Sequence, residues 1–547
     1  MIHYSISSPI PTSQFLLIEI NFKADVTGII KLQMPAWRAG RYQIADYVKN
    51  VKNLSLKDSN GLSPKLTKTS KNTWEFKAEG HTKYTLSYDY YASKMDAGGC
   101  WVDEQQVYIN FVNCCMELPG LGTEEISVGL NLEGYPERVC TLDKKEEYGF
   151  KARDFNELAD STFLAANQLT HWTYSEAGTN FNIWIHGAVH FDPEEFKSEF
   201  KKFTSSLIQD FGEFPEEEYH FIFQLLPYKH YHGVEHRKGT VITFGPAENL
   251  ADEKNMEDLL GVSCHELYHA WNVCRIRPEE LLPYNFAKET YTKAGWILEG
   301  ITTYMGDLYL LKSGVYDLDT YLRHFSKVLQ RESFIQGFQS QSILDSSFDL
   351  WIDGYEAGIP YRKTSIYTHG ALIAFSIDLM LLQSGSSLTR VMKEAWEKFG
   401  KKHKGYTQTS FWELILNQSK DQEKFNEFYS DYIEGKGNII SFLKKVIRTI
   451  GLEIEEKRSS DELRVELGII LEKEKITKIH PDSPTIQDLM LGDQIKSEST
   501  KKEIILQVSR INGSSFKLYF PKKEANYFPE LTFKKREDTA LIDIWSK

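Results

Sequence analysis

His265, Glu266 and His269 are the residues of this chain whose types and spacing most plainly do chemistry. Two histidines four apart on a helix project from one face, so both imidazoles can reach a single metal ion. Glu266 sits about 100° further round the same helix, where it can take a proton from a metal-bound water without ligating the metal. The pattern is H-E-x-x-H, and the chemistry is metal-assisted hydrolysis. A catalytic metal of this kind takes three protein ligands and leaves one position for water. The commonest spacing puts a glutamate nineteen residues after the second histidine, but that position is Lys288, and Glu289 is one residue too far along. The run Gly295-Trp296-Ile297-Leu298-Glu299-Gly300-Ile301-Thr302-Thr303-Tyr304 carries one acid amid apolar neighbours. A lone buried carboxylate needs a cation or hydrogen bonds to compensate it, which makes Glu299 the third-ligand candidate and leaves Glu289 as the alternative.

About thirty residues before the histidine pair, Gly233-Val234-Glu235-His236 reads as an exposed edge strand. Such an edge binds extended peptides through backbone hydrogen bonds, and a glycine lets a substrate backbone approach. Glu235 can ion-pair with a free α-ammonium group, which would separate cleavage at an amino end from cleavage inside a chain. The alternative reading is a turn with a solvated Glu235 and His236.

These groups must be positioned by a large chain. With 547 residues, 41% hydrophobic and 26% charged, it is too long for one core. Residues 1 to about 170 carry short runs of strand formers separated by turns, such as Phe15-Leu16-Leu17-Ile18-Glu19-Ile20-Asn21-Phe22, which predicts a sandwich-like domain. Within it, Met34-Pro35-Ala36-Trp37-Arg38-Ala39-Gly40-Arg41-Tyr42-Gln43-Ile44 reads as a turn with a packed tryptophan. Asp192-Pro193-Glu194-Glu195 is an N-cap, a first-turn proline and two acids on the positive helix end, so a helix should run to about Phe211. Extended structure returns over 219–244, and helical periodicity holds from Asn255 to about Leu443. After about residue 445 short strands reappear.

A net charge of −13 argues against a nucleic-acid partner. No apolar run approaches the ~20 residues that cross a bilayer, and the opening Met1-Ile2-His3-Tyr4 lacks a secretory pattern. The six cysteines lack zinc-ribbon spacing and read as reduced thiols. Together these place the protein in the cytoplasm as an expectation.

The histidine stretch continues Ala270-Trp271-Asn272-Val273-Cys274-Arg275-Ile276-Arg277-Pro278. With Leu298-Glu299-Gly300-Ile301-Thr302-Thr303-Tyr304, Gly233-Val234-Glu235-His236 and Met34-Pro35-Ala36-Trp37, it resembles the glycyl aminopeptidase family of zinc metallopeptidases, gluzincins related to the aminopeptidase N and leukotriene hydrolase group. The resemblance covers nearly the whole chain. It implies a multidomain α+β fold: an N-terminal β-sandwich-like domain (1–172), a mainly α, thermolysin-like catalytic domain with a small β-sheet (173–445), and a C-terminal PDZ-like β-domain (446–547). It implies one zinc ion per chain, on His265, His269 and Glu299, with Glu266 as the general base and Glu235 anchoring the substrate amine. Tyr367, in Tyr367-Thr368-His369-Gly370, matches the tyrosine that stabilises the tetrahedral oxyanion in the larger group. Gly233, His236 and His369 complete the expected substrate-binding set.

Three positions depart from the family pattern: His369 replaces a lysine, Cys274 a basic residue, and Trp37-Arg38-Ala39-Gly40 lacks the proline usual before the glycine. In the last domain, Leu467-Gly468-Ile469 matches the carboxylate-binding loop of a PDZ fold, which would take a peptide C-terminus, and Ser483-Pro484-Thr485 its turn. The expected activity is hydrolysis of the first peptide bond of peptides with a free N-terminus, with preference for glycine or alanine. The alternatives are a zinc endopeptidase and a catalytically weak peptide-binding protein.

Overall fold

The structure is a computed structural model that describes residues 2–121, 124–146, 149–356 and 358–547. The N-terminal part is β-rich. Strand Thr82–Tyr91 shows why: Tyr84, Leu86, Tyr88 and Tyr90 alternate with polar residues and all turn into the core. It pairs antiparallel with Phe15–Ala24 and with Val51–Asp58 in a seven-stranded sheet, where Ile2–Ser7 and Ile126–Asn131 form a parallel pair. A four-stranded sheet holds Glu137–Cys140, Thr162–Ala166, Gln106–Asn110 and Trp101–Val102. Buried phenols tie the large sheet to the loop beside it, Tyr88 donating to the carbonyl of Cys114 at 2.6 Å and Tyr4 to that of Met116 at 2.7 Å.

A separate five-stranded sheet has the order Thr170–Glu176, Thr179–His186, Glu218–Leu225, Gly239–Gly245, His230–His236. The segment 233–236 therefore lies on an edge strand, as its residues suggest, antiparallel to Gly239–Gly245 with Glu235 opposite Thr240. Helix Pro193–Phe211 packs on this sheet, and Asp192 caps it by accepting from the backbone N–H groups of Glu194 (2.9 Å) and Glu195 (2.8 Å).

The histidine helix, Glu253–Tyr268, begins two residues earlier than its apolar spacing indicates because Asp252 caps it, accepting from the backbone of Lys254 at 3.0 Å. Helix Ile301–Lys312 crosses it through a glycine notch. A Cβ on Gly306 would stand 2.9 Å from the Cα of His265, and backbone cannot yield as a side-chain tip can. Gly306→Ala is expected to push the two helices apart at His265, costing about 1–3 kcal/mol. Calorimetry should show a lower unfolding temperature, and an unchanged one would refute the notch argument. Helix Thr368–Gln383 lies at the centre, with every residue from Thr368 to Leu382 buried, which explains its apolar composition. No single described helix is long and apolar enough to cross a membrane.

The C-terminal region has its own small core, including Leu467, Ile469, Ile495, Leu506 and Val508, beside a five-stranded sheet from Ile469–Glu472 to Ser515–Pro521. The chain then returns to the main body. Strand Glu530–Lys535 places Phe533 against Phe325 and Phe375, and Trp545 donates to the Tyr304 hydroxyl at 2.8 Å. Leu467-Gly468-Ile469, the stretch expected to form a carboxylate-binding loop, is packed against its surroundings. All three residues are buried, and the ring of Tyr527 lies against Gly468, 3.1 Å from where a Cβ would be. The carbonyl of Leu467 accepts from the hydroxyls of Ser483 and Thr485.

Candidate active site

His265, His269 and Glu299 converge. The two Nε2 atoms face each other at 3.1 Å, and Glu299 Oε2 lies 3.8 Å from His265 Nε2 and 3.5 Å from His269 Nε2. Tetrahedral zinc ligands at 2.0–2.1 Å from the metal stand about 3.4 Å from one another, so the three spacings suit one ion. Glu289 lies in a half-buried loop outside this group.

The tautomers point the same way. His269 Nδ1 faces the carbonyl oxygen of Asn272 at 2.9 Å, which can only accept, so Nδ1 carries a proton and Nε2 is the atom left to face a cation. Against burial, which lowers it, the carboxylates of Glu299, Glu235 and Glu266 raise His269 to about 10, a positive charge that a metal ion would replace. Burial, with His269 beside it, holds His265 well below the usual histidine range and hence neutral. Asn272 fastens both sides of the cluster. Its fully buried amide donates to the carbonyl of Ile297 at 2.8 Å and the hydroxyl of Thr302 at 3.0 Å. Those contacts grip the π-helical turn Trp296–Gly300 that carries Glu299, a local widening of the helix of the kind found at functional sites.

Glu266 sits behind the pair. A Cβ on Gly233 would fall 2.2 Å from Glu266 Oε1, so the edge strand passes directly over this carboxylate and only glycine leaves room. Glu266 Oε2 and Glu235 Oε1 are buried without hydrogen-bond partners among the described residues. Burial pushes Glu266 up to about 8, with His269 pulling it down and the carboxylates of Glu235 and Glu299 pushing it further up. Three carboxylates in one buried volume, two with orphaned oxygens, form a donor set that a divalent cation would satisfy. The residues fit a metal.

The roof comes from the N-terminal part. Trp37 is fully buried, its indole N–H donating to the carbonyls of Asn285 (2.8 Å) and Lys288 (2.9 Å), and its ring packs edge-on to Trp351. The segment is thus more than the local turn that its residues suggest, because it docks on the helical part and brings Arg38 and Gly40 into the site. A Cβ on Gly40 would stand 2.4 Å from Glu235 Oε2. Arg38 Nη2 meets His232 Nε2 at 3.4 Å, and His232 Nδ1 donates to Asp96. The Arg38 charge acts on both Glu266 and Glu299, opposing their upward shifts.

Tyr367 is half-buried at the start of its helix, with Tyr355 beside it. Tyr355 in turn accepts from the backbone N–H of Tyr42 at 3.2 Å. Burial, with Glu299 and Tyr355 close by, holds the Tyr367 phenol well above its usual range and so protonated. Two expected substrate contacts point elsewhere. Strand alternation turns His236 away from the face of Glu235, towards Asp160 3.9 Å away, and burial lowers it to about 3. His369 is buried in helix packing, with Nδ1 2.9 Å from Glu332 Oε1, and the same carboxylate accepts from Thr368 at 2.7 Å. Neighbours in sequence, one residue apart on a strand or two apart on a helix, point in different directions.

Sequence reasoning missed the roles of Asn272, Arg38 and Tyr355. Asn272 lies inside the quoted histidine run and Arg38 inside the tryptophan stretch, so both left a signal. Tyr355 left none.

Two models of one family match the chain: the Peptidase M61 N-terminal domain over residues 3–167 and M61 glycyl aminopeptidase over residues 258–373. A search of curated proteins finds no match. Among solved structures, the chain is similar to an aminopeptidase N family protein from Idiomarina loihiensis, with TM-score 0.90, 24% identity and 100% of both chains covered. It is also similar to an M1 zinc metallopeptidase from Deinococcus radiodurans, with TM-score 0.51, 14% identity, and coverage of 80% of this chain and 94% of that one. A mutant of that enzyme bound to a Tyr-Ser-Ala substrate matches with TM-score 0.50, 14% identity and the same coverage. At these identities the likeness is one of fold.

Proposed function

Because the chain belongs to the M61 glycyl aminopeptidase family and is a metallopeptidase, we propose that it is a zinc aminopeptidase that releases glycine or alanine from the free amino end of peptides. The observation that carries this reading is the placement of Glu235. A buried carboxylate on an edge strand, two residues from Gly233 on the same face and within 4.8 Å of a Glu266 oxygen, suits a substrate ammonium next to the group that activates water. The preference for small residues rests on the family.

His265, His269 and Glu299 would hold the zinc. When bound, it supplies Lewis acidity, lowering the pKa of water towards ~7 and polarising the scissile carbonyl. Glu235 pairs with the α-ammonium and fixes which bond lies in the site. The edge strand His230–His236 offers backbone groups to the substrate chain, and Gly233 lets that chain lie close to Glu266. Glu266 accepts the proton of the attacking water and returns it to the leaving amine as the carbon–nitrogen bond breaks. Tyr367 donates its phenolic hydrogen to the oxygen that becomes negative in the tetrahedral intermediate. Arg38 and the Asp96–His232 pair brace the roof above Glu235.

We assign three working units close to 1–172, 173–445 and 446–547, the last PDZ-like. Its small core and antiparallel sheet support that assignment. The first boundary is drawn back ahead of strand Thr170–Glu176, whose pairing is with the second sheet.

The test is a panel of aminoacyl p-nitroanilides and their N-acetylated forms, assayed with zinc. Glycyl and alanyl reporters should be cleaved, and acetylation, which removes the ammonium, should lower kcat/KM by about 10³-fold or more, as expected for leaving a buried charge unpaired. Equal cleavage of acetylated and free substrates would favour the endopeptidase reading.

A further inference from the structure

A cavity of about 460 Å³ opens beside Tyr367 and ends on the small C-terminal sheet. Its volume lies within the range of small-ligand sites. Lys363, Ile366 and Tyr367 line the catalytic side, and Thr477, Lys478 and Leu491 the other. The two walls are joined where the backbone N–H of Ile479 donates to the Tyr361 hydroxyl at 3.2 Å. The C-terminal unit therefore reaches the same cavity as the proposed oxyanion donor.

Charge and polarity in this cavity are uneven. Lys363 turns its ammonium into the wall, where Nζ is buried 3.8 Å from the carboxylate of Asp353, a group that also pairs with Arg362. Lys478, half-buried on strand Lys475–Ile479, has no ion-pair partner among the described residues. In a chain of net charge −13, an unpaired ammonium facing a groove is a place for an anion. The apolar part of the wall is left uncovered: Leu491 is 45% exposed and Ile359, also lining the cavity, 62%.

Resting on the aminopeptidase reading, we propose that this groove takes the part of the substrate beyond the scissile bond, and that Lys478 pairs with the α-carboxylate of short peptides. The substrate class is then short peptides with a free carboxyl end. Tyr367 marks the reacting end of the groove and Lys478 its far end, so substrate length is measured between the two units. This places carboxylate recognition at Lys478 and not at Leu467-Gly468-Ile469, against whose glycine Tyr527 packs.

The experiment compares Gly-Ala, Gly-Ala-Ala and Gly-Ala-Ala-Ala as free acids and as C-terminal amides, using the full-length zinc-loaded protein. At the length that spans the groove, the acid should exceed the amide by about tenfold in kcat/KM, mostly through KM, the size expected for a charge-assisted pair. In Lys478→Ala that ratio should fall to about one, in Lys478→Glu it should invert, and Lys478→Arg should keep it. The proposal is overturned if wild type cleaves acids and amides equally at every length, or if the ratio survives in Lys478→Ala. It is likewise overturned if an amide with an added internal glutamate matches the free acid, because the α-carboxylate would then not be what is read. Glycine p-nitroanilide, which has no terminal carboxylate, separates the two readings. If wild type fails to cleave it, the aminopeptidase reading fails; if it is cleaved and the acid-to-amide ratio is one, only the groove assignment fails.

Discussion

Glu266→Gln is expected to lower kcat by about 10²–10⁴-fold, the range over which a positioned general base contributes, while metal content stays at one ion per chain. Glutamine keeps the size of the side chain but has no proton affinity at neutral pH, so only proton transfer is removed. The space for it is set by Gly233, whose missing side chain leaves 2.2 Å between a notional Cβ and Glu266 Oε1. Metal retention is the discriminating readout. Glu266 also groups with Glu235 and His269 as a second set of close donor atoms. If the metal sat there, Glu266→Gln would lose it along with activity. Activity within tenfold of wild type at equal metal loading would remove Glu266 from the mechanism.

The second large effect is at Glu299. Glu299→Gln leaves His265 and His269 facing each other at 3.1 Å but takes away the anionic ligand. Loss of groups that merely orient a ligand weakens metal binding 10–100-fold, so loss of a direct ligand should weaken it on the order of 100-fold or more, with activity falling in step. Stability gives a reading independent of turnover. A metal at 1,000 times its dissociation constant stabilises the folded state by about 4 kcal/mol. A chelator should therefore lower the unfolding temperature of wild type and leave that of Glu299→Gln nearly unmoved. An equal chelator response in the two proteins would mean that Glu299 is not a ligand.

Part of this site is legible in the order of the residues. His265, Glu266 and His269 are bound by the repeat of one helix, so their relative directions follow from spacing alone. The Asp192 cap and the edge position of 233–236 follow from equally local rules, one of side-chain capping and one of turn-bounded strand pattern. The β-rich beginning and helical middle of the chain are likewise written in its periodicities. Glu299 is reachable from the oddity of one acid in an apolar run, although its actual approach to the histidines depends on the π-helical turn and on the grip of Asn272.

What lies beyond the sequence is what depends on contacts between distant segments. Arg38 enters the site because Trp37 docks on residues 285–288, some 250 positions away, and no local pattern announces that contact. Tyr355 matters only because the fold sets its hydroxyl between Tyr42 and Tyr367. His236 and His369 lie in the right stretches but face Asp160 and Glu332, because alternation on a strand and rotation on a helix set direction residue by residue. The loop at Leu467-Gly468-Ile469 has a suitable sequence, yet Tyr527 returns to pack against its glycine. The sequence by itself determined which residues can bind a metal and move a proton, because that chemistry resides in side chains at fixed local spacing. Only the tertiary structure decided which carboxylates share the buried volume, what roofs it and where a substrate can extend, because those depend on packing between parts of the chain that never meet in sequence.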